Sequence, residues 1–249
     1  MAGTMKKKAY QYILQKMTRG ELKPGMQISE LSIAAELGIS RSPVRDALSQ
    51  MVSEGMVDRV PRFGTVIRKF SIQELSDLYD LRVALESYAA AQAALKIGPE
   101  MLKKLEEACE GMDAIAQKLK NSGDGLMAPE MLSEMSRQDM NFHLSILRAT
   151  GNRMLLKSAH DSRLMTRIFG ISRVESFDLE HIEGVCRYHR DIFEAIRRGD
   201  SEAARATMAR HIGFGKEGAL KFIAEHQVHQ EREAFEDVAE SIINGAEHF

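Results

Sequence analysis

The sequence predicts a mostly α-helical chain in two parts, an N-terminal winged helix-turn-helix with a small β-hairpin wing and a C-terminal all-α helical bundle. Three observations predict it. Residues 28–68 read in order as a helix, a tight turn, a second helix with arginines at its start, and two short strands joined by a turn. From Ser71 onward the apolar residues recur at the 3.6-residue period of helices, without convincing strand alternation. Charge divides at the same place. Residues 1–70 hold 12 Lys+Arg against 6 Asp+Glu, and the remaining 179 hold 22 against 30. The net charge of −2 therefore conceals a basic segment joined to an acidic one, and counterion release favours nucleic acid only for the first.

The basic segment begins with Lys6, Lys7 and Lys8, then an amphipathic helix with Tyr10, Ile13, Leu14 and Met17 on one side. In the next helix Leu31, Ala34, Ala35 and Leu37 form the expected buried stripe, and Gly38 follows where a helix stop needs positive φ. Ser40 is an N-cap candidate for the third helix, with Pro43 in its first turn, where a missing N–H costs little. Arg41 and Arg45, four apart, project from one face near that helix's N-terminus. Val44, Ala47, Leu48 and Met51 form the opposite, core-facing stripe, and Gly55 ends the helix. Residues 56–59 and 65–68 read as strands, with the turn at 61–64 between them. This order is a shape that lays one helix in the major groove of DNA.

In the second part Ser71 caps a helix to about Ile97, and Glu74 completes a capping box. Gly98 and Pro99 break the pattern. Further helices are expected over about 100–121, 129–150, 152–169, 178–198 and 201–225, with a loop at 121–125 and a turn at 198–201. The domains so read are 1–70 for DNA binding, 71–225 for a bundle that binds an effector and dimerises, and 226–249 for a polar tail or extra helix. No apolar run approaches the ~20 residues that a membrane span needs. Absence of a signal peptide, and two cysteines (Cys109, Cys186) without a pairing pattern, fit a cytoplasmic protein.

Four residues of the bundle suggest a metal. Asp139 and His143 share one helix face as D-x-x-x-H. His189 and His211 are equally far from residue 200, inside the turn between their helices. If those helices fold back antiparallel, equal rise puts both histidines at one level. Three imidazoles and a carboxylate are a sound ligand set for a divalent transition metal, zinc or nickel foremost. Four protein ligands leave positions open on a metal that accepts five or six. A small carboxylate could fill them, with an arginine fork as its second anchor. Arg82 is the candidate anchor, with an i,i+4 surface pair with Glu86 as its other reading. Asn152, Arg163 and Arg167 are weaker pocket candidates.

Together the residues resemble a bacterial transcription regulator of the GntR family, and the larger part resembles its FCD subgroup, the ligand-binding domain of FadR-type regulators. The resemblance rests on P-G-x-x-I-S-E at 24–30, L-G-I-S-R-S-P-V-R-D-A-L at 37–48, E-G-M-V at 54–57 and G-T-V at 64–66. In the bundle it rests on L-R-V-A-L-E at 81–86, D-x-x-x-H at 139–143, G-N at 151–152, His189 and His211. It implies that Arg41 and Arg45 enter the major groove and that Gly64, at the wing tip, approaches the minor groove. It also implies that Asp139, His143, His189 and His211 place the chain in the metal-binding branch, not the acyl-CoA-binding one. Some members carry a further DNA-contacting arginine where this chain has Leu31, which shifts part of the base readout to Arg62 or Lys69. Lys6–Lys8, Ser42 and Arg68 are expected to contact phosphates. The family acts as a homodimer on a roughly palindromic operator. The function expected is thus a repressor controlled by a small organic or sugar acid held at the metal. One alternative is a regulator whose bundle only dimerises around a structural metal. The other is a metalloenzyme, against which no general base stands at a telling spacing.

Overall fold

The computed structural model of the protein describes residues 2–122, 127–170 and 179–246. Its elements run α1 (Ala2–Thr18), β1 (Gln27–Ile28), α2 (Glu30–Leu37), α3 (Arg41–Ser53), β2 (Val57–Val60), β3 (Gly64–Ile67), α4 (Ile72–Lys96), α5 (Pro99–Ser122), α6 (Pro129–Ala149), α7 (Arg153–Gly170), α8 (Leu179–Arg197) and α9 (Ser201–Ala246). The mostly helical fold class, with a small sheet beside the N-terminal helices and a bundle after it, is the one the periodicities require.

Local chemistry sets the N-terminal boundaries. Ser29 caps α2 by accepting from the Ser32 amide, and Gly38 closes it at φ 64°. Ser40 takes the extended N-cap conformation before α3, but its side chain makes no capping bond. The buried stripe of α3 is Val44, Ala47, Leu48 and Met51. On α2 the stripe differs from expectation. Ile33 and Ala34 are buried and Leu37 is half-buried, while Leu31 and Ala35 face solvent. Leu31 sits in the first turn, on the side turned away from the α1–α3 contact.

The wing is a three-stranded sheet in the order β1-β3-β2, all antiparallel. Val57 pairs with Ile67 and Val60 with Gly64, and the added strand pairs Gln27 with Val66. At the hairpin tip Arg62 takes φ 65° and Gly64 φ 102°. The Gln27 side chain donates to the Phe63 carbonyl, tying β1 to that tip.

In the bundle Ser71 and Glu74 form the complete capping box of α4. Asp200 accepts from the Ala203 amide and starts α9. The backbone of α9 continues past the expected stop at 225 to Ala246. The expected loop at 121–125 lies mostly outside the described residues, as does the start of the helix expected at 178.

Two apolar cores result. One gathers α4–α9 around Leu75, Leu105, Met112, Phe142, Ile146 and Ile192. The other gathers Ile13, Met17, Val44, Leu48, Met51 and Ile67 of the winged helix together with Leu164, Ile168 and Phe169 of α7. The Phe70 and Phe169 ring centroids are 4.1 Å apart. The chain's apparent boundary near residue 70 is thus crossed by a bundle helix whose C-terminal half belongs to the core of the basic segment.

Candidate nucleic-acid interface and metal centre

Arg41 and Arg45 stand exposed at the start of α3, and one carboxylate holds both. Glu30, the first residue of α2, accepts through Oε2 from Arg41 Nη2 at 3.2 Å and from Arg45 Nη2 at 3.2 Å. Arg45 Nε is 3.4 and 3.3 Å from the two Glu30 oxygens. The arginine charges, Arg45 foremost, hold the Glu30 carboxyl below its ordinary value against its burial. A fork with one arm fixed keeps the other pointed, which suits planar recognition of a base edge. Ser42, Arg62, Gly64 and Lys69 are exposed on the same N-terminal part of the chain. Arg68, expected at phosphate, pairs with Glu74 and lies over the Phe70 ring at 4.7 Å, so it joins the wing to α4. Lys8 is engaged as well, donating to the Leu37 carbonyl at 3.2 Å. Glu30 escaped the sequence reading because it lies 11 and 15 residues from its partners, beyond any helical spacing.

In the bundle, α6, α8 and α9 bring Asp139, His143, His189 and His211 together, with one ligand atom from each within 4.8 Å of the others. His143 Nε2 is 3.2 Å from His211 Nε2 and 3.5 Å from Asp139 Oδ1. His189 Nε2 is 3.2 Å from Asp139 Oδ1. The three histidines are buried.

Their protonation follows from what holds the far side of each ring. His189 Nδ1 donates to the Val185 carbonyl at 2.8 Å, so its Nε2 carries a lone pair. His143 Nδ1 is 2.6 Å from Glu86 Oε2. Two imidazole Nε2 atoms, of His189 and His143, thus lie 3.2 and 3.5 Å from one carboxylate oxygen, Asp139 Oδ1. The His189 Nε2, buried without a hydrogen-bond partner, faces a carboxylate oxygen, a contact that a cation between them would relieve. Bonds of ~2.0–2.2 Å put neighbouring ligand atoms of a first-row ion about 3–3.5 Å apart, so the donor set fits such an ion in both chemistry and spacing. Burial lowers the His189 pKa and drives that of His211 well below the ordinary value, His189 and His143 adding to the latter effect. Both rings are therefore neutral, as ligands must be.

Behind the ligands lies an ionic frame. Glu86, fully buried, accepts from Arg82 Nε at 2.7 Å and from Arg163 Nη1 at 2.8 Å. Burial pushes its carboxyl up, but Arg163 and Arg82 outweigh this and hold it well below the ordinary value. Arg163 also donates through Nη2 to Asp139 Oδ2 at 2.5 Å, leaving Oδ1 toward the histidines. Arg82 Nη1 reaches Thr166 Oγ1 at 3.2 Å.

The frame revises the expected effector anchors. Arg82 points inward as expected, but Glu86 and Thr166 occupy its guanidinium, and the pair with Glu86 is buried, not on the surface. Asn152 is exposed and serves as the cap of α7, accepting from the Met154 and Leu155 amides at 3.0 Å. Arg167, one turn beyond Arg163, is half-buried and has no anion within hydrogen-bonding reach among the described residues. Burial pulls its pKa down, Asp139 opposing and Arg163 adding. Glu86 was missed as a part of the site because a Glu four residues after an Arg has the pattern of a solvated pair. Of the other histidines, His160 and His181 stand apart from the cluster, and the side chains of His226, His229 and His248 lie outside the described residues.

Comparison with known proteins agrees with this architecture. Residues 77–214 match the family described as FCD domain, and residues 5–67 match "Bacterial regulatory proteins, gntR family". The chain is 26% identical over 201 residues to the "Probable D-xylose utilization operon transcriptional repressor" of Paenarthrobacter nicotinovorans, covering 81% of this chain and 82% of that one. It is 22% identical over 192 residues to the HTH-type transcriptional repressor RspR of Escherichia coli K12, covering 76% and 77%. Among solved structures, E. coli McbR/YncC superposes with a TM-score of 0.73 at 21% identity, over 88% of this chain and 98% of that one. At that identity the likeness speaks for the fold alone. The two repressors are regulators of transcription, not enzymes.

Proposed function

The chain belongs to the FCD-domain group of bacterial GntR-family transcriptional regulators, and from that membership we propose a repressor whose hold on operator DNA is set by a small carboxylate bound at a divalent metal. The observation that carries this reading is the double attachment of α7. Its Arg163 bridges Asp139 and Glu86, while its Leu164, Ile168 and Phe169 lie in the core of the winged helix. Whatever is drawn to the metal cluster pulls on the same helix that seats the DNA-reading part.

In this reading Asp139, His143, His189 and His211 hold zinc or nickel, which supplies a Lewis-acidic seat for a carboxylate. Arg167 replaces Arg82 as the second anchor, since its guanidinium meets no anion within hydrogen-bonding reach among the described residues. The effector is a small organic or sugar acid. Ligand binding shifts α7 and changes the setting of the two recognition helices of a homodimer on a palindromic operator. The shift requires different affinities for the two arrangements, typically ~1–3 kcal/mol. Arg41 and Arg45 read guanines, Ser42 holds phosphate, and Arg62 and Gly64 bring the wing to the minor groove. The protein acts in the cytoplasm, beside its DNA.

A second reading, a structural ion without effector, is favoured by the burial of all three histidines. Thermal unfolding separates the two. Zinc-loaded and chelator-stripped protein are each melted with acetate, citrate or gluconate. A ligand at 100 times its Kd stabilises by ~2.7 kcal/mol. The proposal expects at least one acid to raise the Tm only when metal is present, and Arg167→Met to abolish most of that rise. A Tm that responds to metal but to no acid leaves the structural ion. A rise that ignores metal removes the metal-anchored effector.

A further inference from the structure

The wing ends in an apolar tip. In the turn between β2 and β3, Phe63 is 56% exposed, and Val60, the last residue of β2, is 39% exposed. Pro61 between them is exposed as well. A single exposed apolar residue is ordinary, but three at the end of one hairpin form a patch, and such patches mark contact sites. Phe70, at the foot of the same hairpin, is half-buried against Phe169, with ring centroids 4.1 Å apart. The fold thus covers one aromatic ring of this region and leaves the other in water.

The tip is held in shape. Arg62 adopts φ 65°, which residues with a Cβ seldom take, and Gly64 adopts φ 102°. The Phe63 amide donates to the Val60 carbonyl at 3.1 Å, and the Phe63 carbonyl accepts from the Gln27 side chain. A Cβ at position 64 would lie 3.1 Å from that same Gln27 nitrogen, so the brace from β1 fits closely around glycine. A ring presented by a braced turn loses less freedom on binding than one on a loose loop.

The surroundings indicate the occupant. Residues 57–69 hold Arg59, Arg62, Arg68 and Lys69, with Asp58 as their acid. Arg59 donates through Nη2 to Ser49 Oγ of α3 at 2.6 Å, which ties the wing to the helix that begins with Arg41 and Arg45. An apolar knob in a cationic rim, continuous with those arginines, complements duplex DNA. The cations meet phosphates, and the ring meets the faces of stacked bases.

We propose that Phe63 enters the minor groove as a wedge, partly unstacks one base step and bends the duplex there. The proposal rests on the DNA-binding reading above and adds to it a sequence preference at a step that no arginine reads. Apolar wedges of this kind kink a duplex by ~20–90°. Pyrimidine–purine steps yield most readily, so the preference is for a step that opens easily and not for a pattern of base edges.

Bending and unstacking of a selected operator test it. The full-length wild type first enriches binders from a pool of random duplexes. Donor and acceptor dyes at the ends of an enriched duplex report its bend. Aminopurine, a fluorescent adenine analogue, is placed at each adenine in turn and brightens where stacking is lost. Wild type is expected to shorten the end-to-end distance and to brighten aminopurine at one pyrimidine–purine step. Phe63→Ala is expected to melt at the wild-type temperature, since the ring is more than half exposed, yet to leave the duplex straighter and the aminopurine dim. Phe63→Leu keeps an apolar wedge and is expected to keep most of both signals. Replacing the step by a stiff A-tract is expected to weaken wild-type binding about tenfold, and to leave the affinity of Phe63→Ala unchanged. Equal bend and equal brightness in wild type and Phe63→Ala would overturn the wedge and leave the DNA-binding reading intact. A wild type that enriches no duplex would remove both.

Discussion

A single carboxylate decides how Arg41 and Arg45, the two arginines proposed to read bases, present themselves. Glu30 anchors Arg41 and Arg45 from the start of a different helix, so it trades attraction to phosphate for a fixed aim at bases. Both arginines are more than half exposed, and such pairs add little to stability. Their effect belongs to recognition. Removing the carboxylate as Glu30→Gln is expected to strengthen binding to shuffled duplex, because one negative charge leaves the DNA face. It is also expected to weaken discrimination, since each correctly aimed bidentate contact is worth ~1–3 kcal/mol. The measurement is competition between a selected operator and its shuffled counterpart at fixed salt. A drop in the affinity ratio of about tenfold, ~1.4 kcal/mol, is expected. An unchanged ratio would assign Glu30 a bystander's place. The arginines themselves were legible in the sequence from their four-residue spacing. Their keeper was not, because nothing local marks a glutamate eleven residues away as their partner.

Between elements, short charged contacts lock α1 onto the helix-turn-helix. Glu36 of α2 accepts from Lys16 Nζ and Tyr12 Oη of α1, both at 2.5 Å. Lys16 foremost, then Tyr12, lowers its carboxyl to about 2. A carboxyl depressed on folding stabilises the fold fully above its ordinary value near 4.5, and the contribution fades as pH falls toward about 2. Glu36→Gln should therefore melt below wild type at pH 6, and the gap should close as the pH is lowered to 2. A gap that stays constant would mean that shape, not charge, holds α1. Helices and their caps were readable because caps and periodicity are local: Gly38, Ser71 and Glu74 stand where the sequence requires them. Three features were not. β1 is two residues long, too short to alternate. Leu31 and Ala35 fit a helical stripe with Ala34, but only tertiary packing decides that Ile33 joins Ala34 in the core instead. The stretch past residue 225 reads as a polar tail or an extra helix, and the backbone of α9 continues through it to Ala246.

At the scale of the molecule the chain is a basic reader joined to an acidic bundle through α7. The bundle's centre is three buried imidazoles and a carboxylate held in place by Glu86, Arg82 and Arg163. Two of the four converging residues, His189 and His211, were foreseeable from equal distances to a turn, and Asp139 and His143 from their four-residue spacing. The ionic frame was not, since burial turned what looks like a surface pair into the support of His143. Everything proposed for regulation depends on whether those four residues hold an ion. The most direct test is metal content of purified wild type and His189→Ala by elemental analysis, after equilibration with zinc or nickel and removal of excess. The account predicts about one divalent ion per wild-type chain, resistant to buffer exchange, and its loss in the variant. Wild type that retains no metal under these conditions, or His189→Ala that retains as much as wild type, would contradict it.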